Sequence, residues 1–135
     1  MKDSKRYTAC DFLLPIVALL FLLGLLTIFA PCGAKEDGGW MSCHWAGQTL
    51  RGLAGTMLVI ALLHLLPGMG EMKKGLNLAM LPLCVLAMLV PGRLVSLCMM
   101  ASMRCRSVMS PAVTMFSILL IALSVLDLLL HRKRT

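Results

Sequence analysis

Charged side chains are scarce in this chain, at 14% of 135 residues, whereas hydrophobic residues make up 59%. A soluble domain carries about 25% charged and about 45–50% apolar residues. A chain this short has no core large enough to bury the excess, so much of its apolar surface must face lipid. The scarcity of charge therefore excludes an ordinary soluble domain and predicts an integral membrane protein.

Sequence patterns typical of catalysis and of nucleic-acid binding are also missing. The chain has no glycine-rich nucleotide loop, no paired-carboxylate site, no Ser/His/Asp arrangement and no Cys-x-x-Cys motif. The net charge is +7, but the basic residues occur in short clusters at the ends of apolar segments. No long basic face exists to follow phosphates, so we expect no nucleic-acid partner. These absences favour a non-enzymatic protein.

Four apolar segments are visible, at residues 12–30, 50–66, 76–97 and 111–130. A helix of about 19 residues is roughly 28 Å long, close to the ~30 Å hydrocarbon thickness of a bilayer. Lipid offers no partner for backbone groups, so the segments must be helical. Short connections predict an all-α protein, with residues 1–135 forming a single up-down-up-down four-helix membrane domain. Pro82 and Pro91 are expected to kink or interrupt the third helix.

The distribution of lysine and arginine predicts the orientation. The first segment is expected to stay uncleaved, because its apolar run exceeds that of a signal peptide and Pro31 follows it. With the N-terminus inside, eight basic residues lie on the inner side and five on the outer side. We therefore predict a multi-pass protein of the cell (plasma or inner) membrane with both termini cytoplasmic. Trp40 and Trp45 then lie at the outer interface.

This topology places four of the six cysteines on the oxidising side. Cys32 and Cys43 fall in the first outer loop, and Cys98 and Cys105 fall in the second. We expect structural disulfides among them. Four cysteines allow three connectivities. Pairing within each loop is the simplest by sequence distance, and pairing across the two loops remains open.

A redox role is the alternative for the same cysteines. The layout of four helices, internal termini and two outer cysteine pairs resembles the membrane thiol oxidases of the DsbB type. That resemblance implies electron transfer from a thiol partner to a quinone, with Cys32, Cys43, Cys98 and Cys105 as the redox groups. Arg51 would then lie near the quinone headgroup. The lack of a Cys-x-x-Cys turn argues against this role, so structural disulfides without a cofactor are preferred.

The second helix carries a polar face near its outer end. If it begins near Cys43, then His44, Gln48 and Arg51 share one side. Polar residues on a membrane helix generally face other helices. Together with Arg93, they form a candidate basic pocket for a lipid phosphate, a quinone oxygen or a partner's carboxylate. The alternative is that the two arginines extend to the interface.

A second polar pair, His64 and Asp127, lies near the inner boundary. Both residues lie about one turn inside it, so a hydrogen bond between the second and fourth helices is expected. Asp127 can alternatively meet His131 on its own helix, four residues later. One such pair near an interface is more often structural than part of a proton path.

The methionines of the second outer loop are candidate ligands for a copper ion. The second outer loop places several of them beside Cys98 and Cys105, and thioether and thiolate ligands suit Cu(I). His44 in the first loop could complete such a site. The Met-x-x-Met spacing does not repeat along this loop, however, since only Met100 and Met103 show it, and Arg104 and Arg106 would repel a cation. We therefore predict no metal, with copper binding as a further alternative.

Cys32 and the run Met41-Ser42-Cys43-His44-Trp45 carry a family resemblance. They resemble a bacterial and archaeal family of small four-helix membrane proteins whose function is unknown, with a cysteine after helix one and a Cys-His-Trp run opening helix two. The resemblance implies no established activity. Small membrane proteins of this kind are often encoded near transporter permeases. The expected role is therefore an accessory subunit that binds a permease or another copy of itself.

Overall fold

The fold is helical throughout the part of the chain that the computed structural model describes, namely residues 9–29, 33, 36–40, 42–66, 68, 70–96, 102 and 105–134. It contains α1 (Ala9–Leu26), α2 (Ser42–Leu63), α3 (Gly70–Leu89) and α4 (Ser110–Arg134). A π-helical turn, Cys105–Met109, leads into α4. These ranges contain no β-strand. Each of the four helices is long and apolar enough to cross a membrane. The predicted all-α class with four candidate membrane spans is therefore confirmed.

Three helix boundaries differ clearly from the predicted segments, and one of them is the start of α3, at Gly70 rather than at residue 76. α2 begins at Ser42 rather than at residue 50, because hydropathy marks where lipid contact starts and the helix continues beyond that point. α3 ends at Leu89 rather than at residue 97. Pro91 follows this end, and Gly92 adopts a φ of 93°, a conformation that favours glycine. Pro82 lies inside α3 without ending it.

The helices form a ring in which neighbours along the chain pack together and α1 also contacts α4. Their directions follow from one cluster of side chains. Asp11 near the start of α1, His64 just after α2 and Asp127 near the end of α4 lie together. Asn77, near the start of α3, donates a hydrogen bond to Asp127. Starts and ends of alternate helices therefore meet at the same end of the bundle, as the up-down-up-down arrangement requires.

Small residues dominate the face with which α2 enters the core. Ala46, Ala54 and Ala61 are fully buried there, with Leu50 and Met57 between them. Small side chains let membrane helices approach closely, and close approach provides the van der Waals contact that holds them together in lipid. Large apolar side chains face outward on all four helices, where a bilayer would cover them.

Three phenylalanine rings pack together where α1 meets α4. Phe21 of α1 is fully buried, and its ring stacks on that of Phe116 of α4 at a centroid distance of 5.4 Å. Phe29 meets Phe116 edge-on at 6.3 Å. Gly24 makes room for this arrangement, since a Cβ atom there would lie 2.6 Å from the Phe29 ring. The close packing of Phe29 against α1 therefore depends on a missing side chain.

Candidate functional site

An aromatic cluster surrounds the start of α2. The His44 imidazole stacks on Trp40 at 4.0 Å and meets Trp45 edge-on at 5.8 Å. Both indoles are more than half exposed. Exposed tryptophans at a helix end are typical of a membrane–water interface. His44 is thus held between two rings at this end of the molecule.

The polar face of α2 does not point into the bundle as a whole. Gln48 is exposed, and His44 and Arg51 are half-buried. The expectation that this face looks at other helices is wrong for Gln48, because the packed face is the neighbouring one that carries the small residues Ala46 and Ala54. Close backbone approach favours that face over one with long polar side chains.

The two arginines of the candidate basic pocket have different surroundings. Arg51 is half-buried, and its Nε atom is buried with no hydrogen-bond partner within the described residues. Arg93 is exposed in the turn that follows α3. The described ion pairs involve neither of them. A shared pocket for an anion therefore stays a prediction.

The cysteine predictions rest largely on residues outside the described ranges. Cys43 is buried in the first turn of α2. Cys32 and Cys98 lie outside the described residues, and only the backbone of Cys105 is described, in the π-helical turn. Both the structural disulfides and the redox alternative stay predictions.

A buried polar cluster closes the other end of the bundle. We define it as Asp11, His64, Asn77 and Asp127, with exposed fractions of 2%, 0%, 0% and 1%. One ligand atom each from Asp11, His64 and Asp127 lies within 4.8 Å of the others. The structure therefore brings His64 and Asp127 together and adds one residue from α1 and one from α3.

The hydrogen bonds of this buried polar cluster differ from those expected. Asp127 Oδ2 accepts its hydrogen bond from Asn77 Nδ2. Neither ring nitrogen of His64 has a hydrogen-bond partner within the described part of the chain. At the edge of the cluster, Lys73 Nζ lies 3.5 Å from Asp11 Oδ2, and the Lys73 side chain is only 12% exposed. The cluster thus combines an ion pair, a hydrogen bond between an amide and a carboxylate, and an imidazole whose nitrogens have no hydrogen-bond partner among the described residues.

Sequence reasoning missed three of these participants. Asp11 lies one position before the predicted first segment, Asn77 is one amide in an apolar run, and Lys73 lies in the connection before the predicted third segment. The sequence contains one signal that could have identified them, which is the predicted depth of each residue in the membrane. Asp11 and Asn77 lie near the same predicted boundary as His64 and Asp127, so four polar groups from four helices share one level.

An apolar groove runs along the outside of α4. We call it the α4 groove, and its volume is about 680 Å³. It is lined by Phe29 on one side and by these residues of α4: Ala112, Met115, Phe116, Ile118, Leu119 and Ala122. All of the lining residues are apolar. The α4 groove therefore suits a hydrocarbon chain or an apolar helix, whereas the buried polar cluster is closed to a substrate of any size.

Comparison with known proteins assigns the chain to a family without assigning an activity. No curated protein and no solved structure matches it. The family model described as "Domain of unknown function (DUF4418)" matches residues 14–130, which include most of each helix. This match confirms the resemblance to a family of unknown function. The chain belongs to the DUF4418 family.

Proposed function

We propose that this protein is a non-enzymatic accessory subunit that binds a helix of another membrane protein inside the bilayer. The α4 groove is the observation that carries the proposal. Helices associate in lipid through close packing, because lipid tails are as apolar as the helix surface itself. A concave apolar surface gives a partner helix more contact than a convex one, and Phe29 supplies a wall beside α4.

The spacing of outward residues on α4 supports a helical partner. Apolar side chains recur at alternating intervals of three and four along its whole length, at Ala112, Met115, Leu119, Ala122, Leu126 and Leu129. Met115 is 72% exposed, and Leu119, Leu126 and Leu129 are also exposed. An apolar repeat of this kind is the seam of a left-handed helix pair that crosses at about +20°. The partner is expected to be a transporter permease or a second copy of this chain.

Photocrosslinking tests this proposal. With p-benzoylphenylalanine in place of Met115, irradiation of native membranes is expected to give one discrete protein adduct, because this position lies in the α4 groove. Leu78 is the matched control, since it is 64% exposed on α3 and does not line the groove. Mass spectrometry identifies the adduct. Lipid adducts alone at Met115, or the same protein adduct from both positions, would contradict the proposal.

We also propose that the end with the buried polar cluster faces the cytoplasm. The excess of lysine and arginine at that end supports this orientation, and Lys73 and Lys74 lie in the first turns of α3. The aromatic cluster of Trp40, His44 and Trp45 then faces outward. The protein is expected in the plasma or inner membrane, with both termini inside.

Cysteine labelling tests the orientation. Glu36→Cys is expected to react with a membrane-impermeant maleimide in intact cells, whereas Glu71→Cys reacts only after permeabilisation. Both glutamates are exposed, so access to the side chain is not the difference between them. Labelling of the unsubstituted chain gives the background. Reaction of Glu71→Cys in intact cells would reverse the proposed topology.

Thiol–disulfide exchange coupled to quinone is the second candidate function. The position of Cys43 favours it, because the first turn of a helix stabilises a thiolate. Cys43 is also fully buried, and a partner thiol needs access to the sulfur it attacks. The accessory role therefore ranks first.

A further inference from the structure

We propose that Asp11, His64 and Asp127 bind one divalent transition-metal ion of the Zn²⁺ or Mn²⁺ kind at the closed end of the bundle. The ion would join α1, the residue that follows α2, and α4. This inference does not rest on the accessory role, because the α4 groove and the buried polar cluster share no residue.

The geometry comes close to that of a metal site. One ligand atom from each of the three side chains lies within 4.8 Å of the other two. Zinc binds imidazole nitrogen and carboxylate oxygen at about 2.0–2.2 Å, which places neighbouring ligand atoms roughly 3–4 Å apart. Small rotations of the side chains would close this difference. The ligands come from separate parts of the chain, namely α1, the residue that follows α2, and α4.

His64 supplies an observation that is independent of the acidic residues. Its side chain is fully buried, and neither Nδ1 nor Nε2 has a hydrogen-bond partner among the described residues. A buried polar group without a partner is costly in any charge state. Coordination of a metal by one ring nitrogen would give that nitrogen a partner, and the other nitrogen would remain an N–H donor within reach of the carboxylates of the cluster.

The net charge of the buried polar cluster favours a bound cation. Asp11 has Lys73 at 3.5 Å, but Asp127 receives only the neutral amide of Asn77 at its Oδ2 atom. Asp127 Oδ1 is buried with no hydrogen-bond partner within the described residues, and it can face an ion while Oδ2 stays bonded to Asn77. Two buried carboxylates then share the one lysine ammonium of the described ion pair, which leaves one negative charge unbalanced. A metal ion would supply the missing charge.

The donor set indicates the class of ion. Two carboxylates and one imidazole combine the ligands preferred by Mn²⁺ with the ligand preferred by Zn²⁺ and other transition metals. Alkali ions and Mg²⁺ prefer oxygen ligands and bind imidazole nitrogen weakly. Asn77 acts as a positioning residue, because its amide group fixes one oxygen of Asp127 in the way that outer hydrogen bonds orient metal ligands. The near-complete burial predicts a structural ion rather than a catalytic one.

Metal binding to the full chain in detergent micelles or nanodiscs tests the proposal. After chelation and dialysis, titration with Zn²⁺ or Mn²⁺ is expected to load about one ion per chain by elemental analysis. It should also raise the Tm by several degrees, because an ion that binds only the folded state stabilises it. His64→Gln is expected to abolish the loading. His44→Gln, which removes a histidine at the other end of the bundle, is the matched control and should keep it.

Other results would overturn the proposal. They are the absence of a bound ion at saturating concentration, and equal loading of His64→Gln and His44→Gln. Absorption spectra of the unsubstituted chain with bound Co²⁺ provide a test that does not depend on whether a variant folds. Visible bands without near-ultraviolet thiolate charge transfer support the Asp/His site, whereas strong charge transfer would place the ion on cysteines instead. None of these outcomes affects the crosslink expected at Met115.

Discussion

Asp11→Ala is expected to lower the free energy of unfolding by about 3–5 kcal/mol, the usual result of removing one partner of a buried ion pair. Asp11 is 2% exposed and the Lys73 side chain is 12% exposed, with their charged atoms 3.5 Å apart. The substitution leaves the lysine ammonium in a poorly hydrated position and removes its carboxylate partner. The change can be measured by reversible unfolding in mixed micelles.

A second ion pair in the same chain provides the matched control. Lys74 and Glu71 also lie 3.5 Å apart, but the glutamate side chain is 91% exposed. Glu71→Ala is therefore expected to cost no more than about 1 kcal/mol. Replacing Lys73 by Met in the Asp11→Ala background should recover part of the lost stability, because it removes the charge that Asp11 neutralised. Equal losses from Asp11→Ala and Glu71→Ala would show that burial does not strengthen the first pair.

Phe21→Ala is expected to destabilise the bundle by about 3–5 kcal/mol, as for other buried phenylalanines replaced by alanine. The Phe21 side chain is fully buried and stacks on Phe116. In a bilayer the loss comes from van der Waals contacts rather than from hydrophobic transfer. The same unfolding measurement reports it.

Phe12→Ala on the same helix separates packing from residue type. The Phe12 side chain is exposed and would face lipid, so its removal should change the free energy of unfolding by roughly 0.5 kcal/mol or less. A large effect from Phe12→Ala would mean that its face of α1 is also packed, as it would be in an oligomer.

The helical membrane class was predictable because it depends on composition and on the length of apolar runs. The bounds of the helices were less predictable. Hydropathy locates the stretch of chain that lipid can cover, whereas a helix ends where its backbone geometry changes. Ser42 begins α2 well before the apolar run, and α3 stops ahead of Pro91. Gln48 shows a further limit, since which face of a helix packs depends on the shape of its neighbours.

The buried polar cluster was half predictable. His64 and Asp127 were expected to lie together because their distances from the predicted boundary match. Their hydrogen bonds were not predictable, because the choice between Asn77 and His64 as donor to Asp127 depends on the rotation of three helices about their axes. The sequence pattern constrains depth in the membrane well and constrains this rotation poorly.

The ion pair between Asp11 and Lys73 has a consequence for biosynthesis. Its two residues are separated by about 60 positions, so the lysine leaves the ribosome roughly 3–12 s after the aspartate at ordinary rates of translation. During that interval the first two helices have been synthesised, but Lys73, which pairs with the Asp11 carboxylate, has not. Release of the first hairpin into lipid is therefore expected to be delayed until the third helix arrives, which makes assembly of the ring a late event.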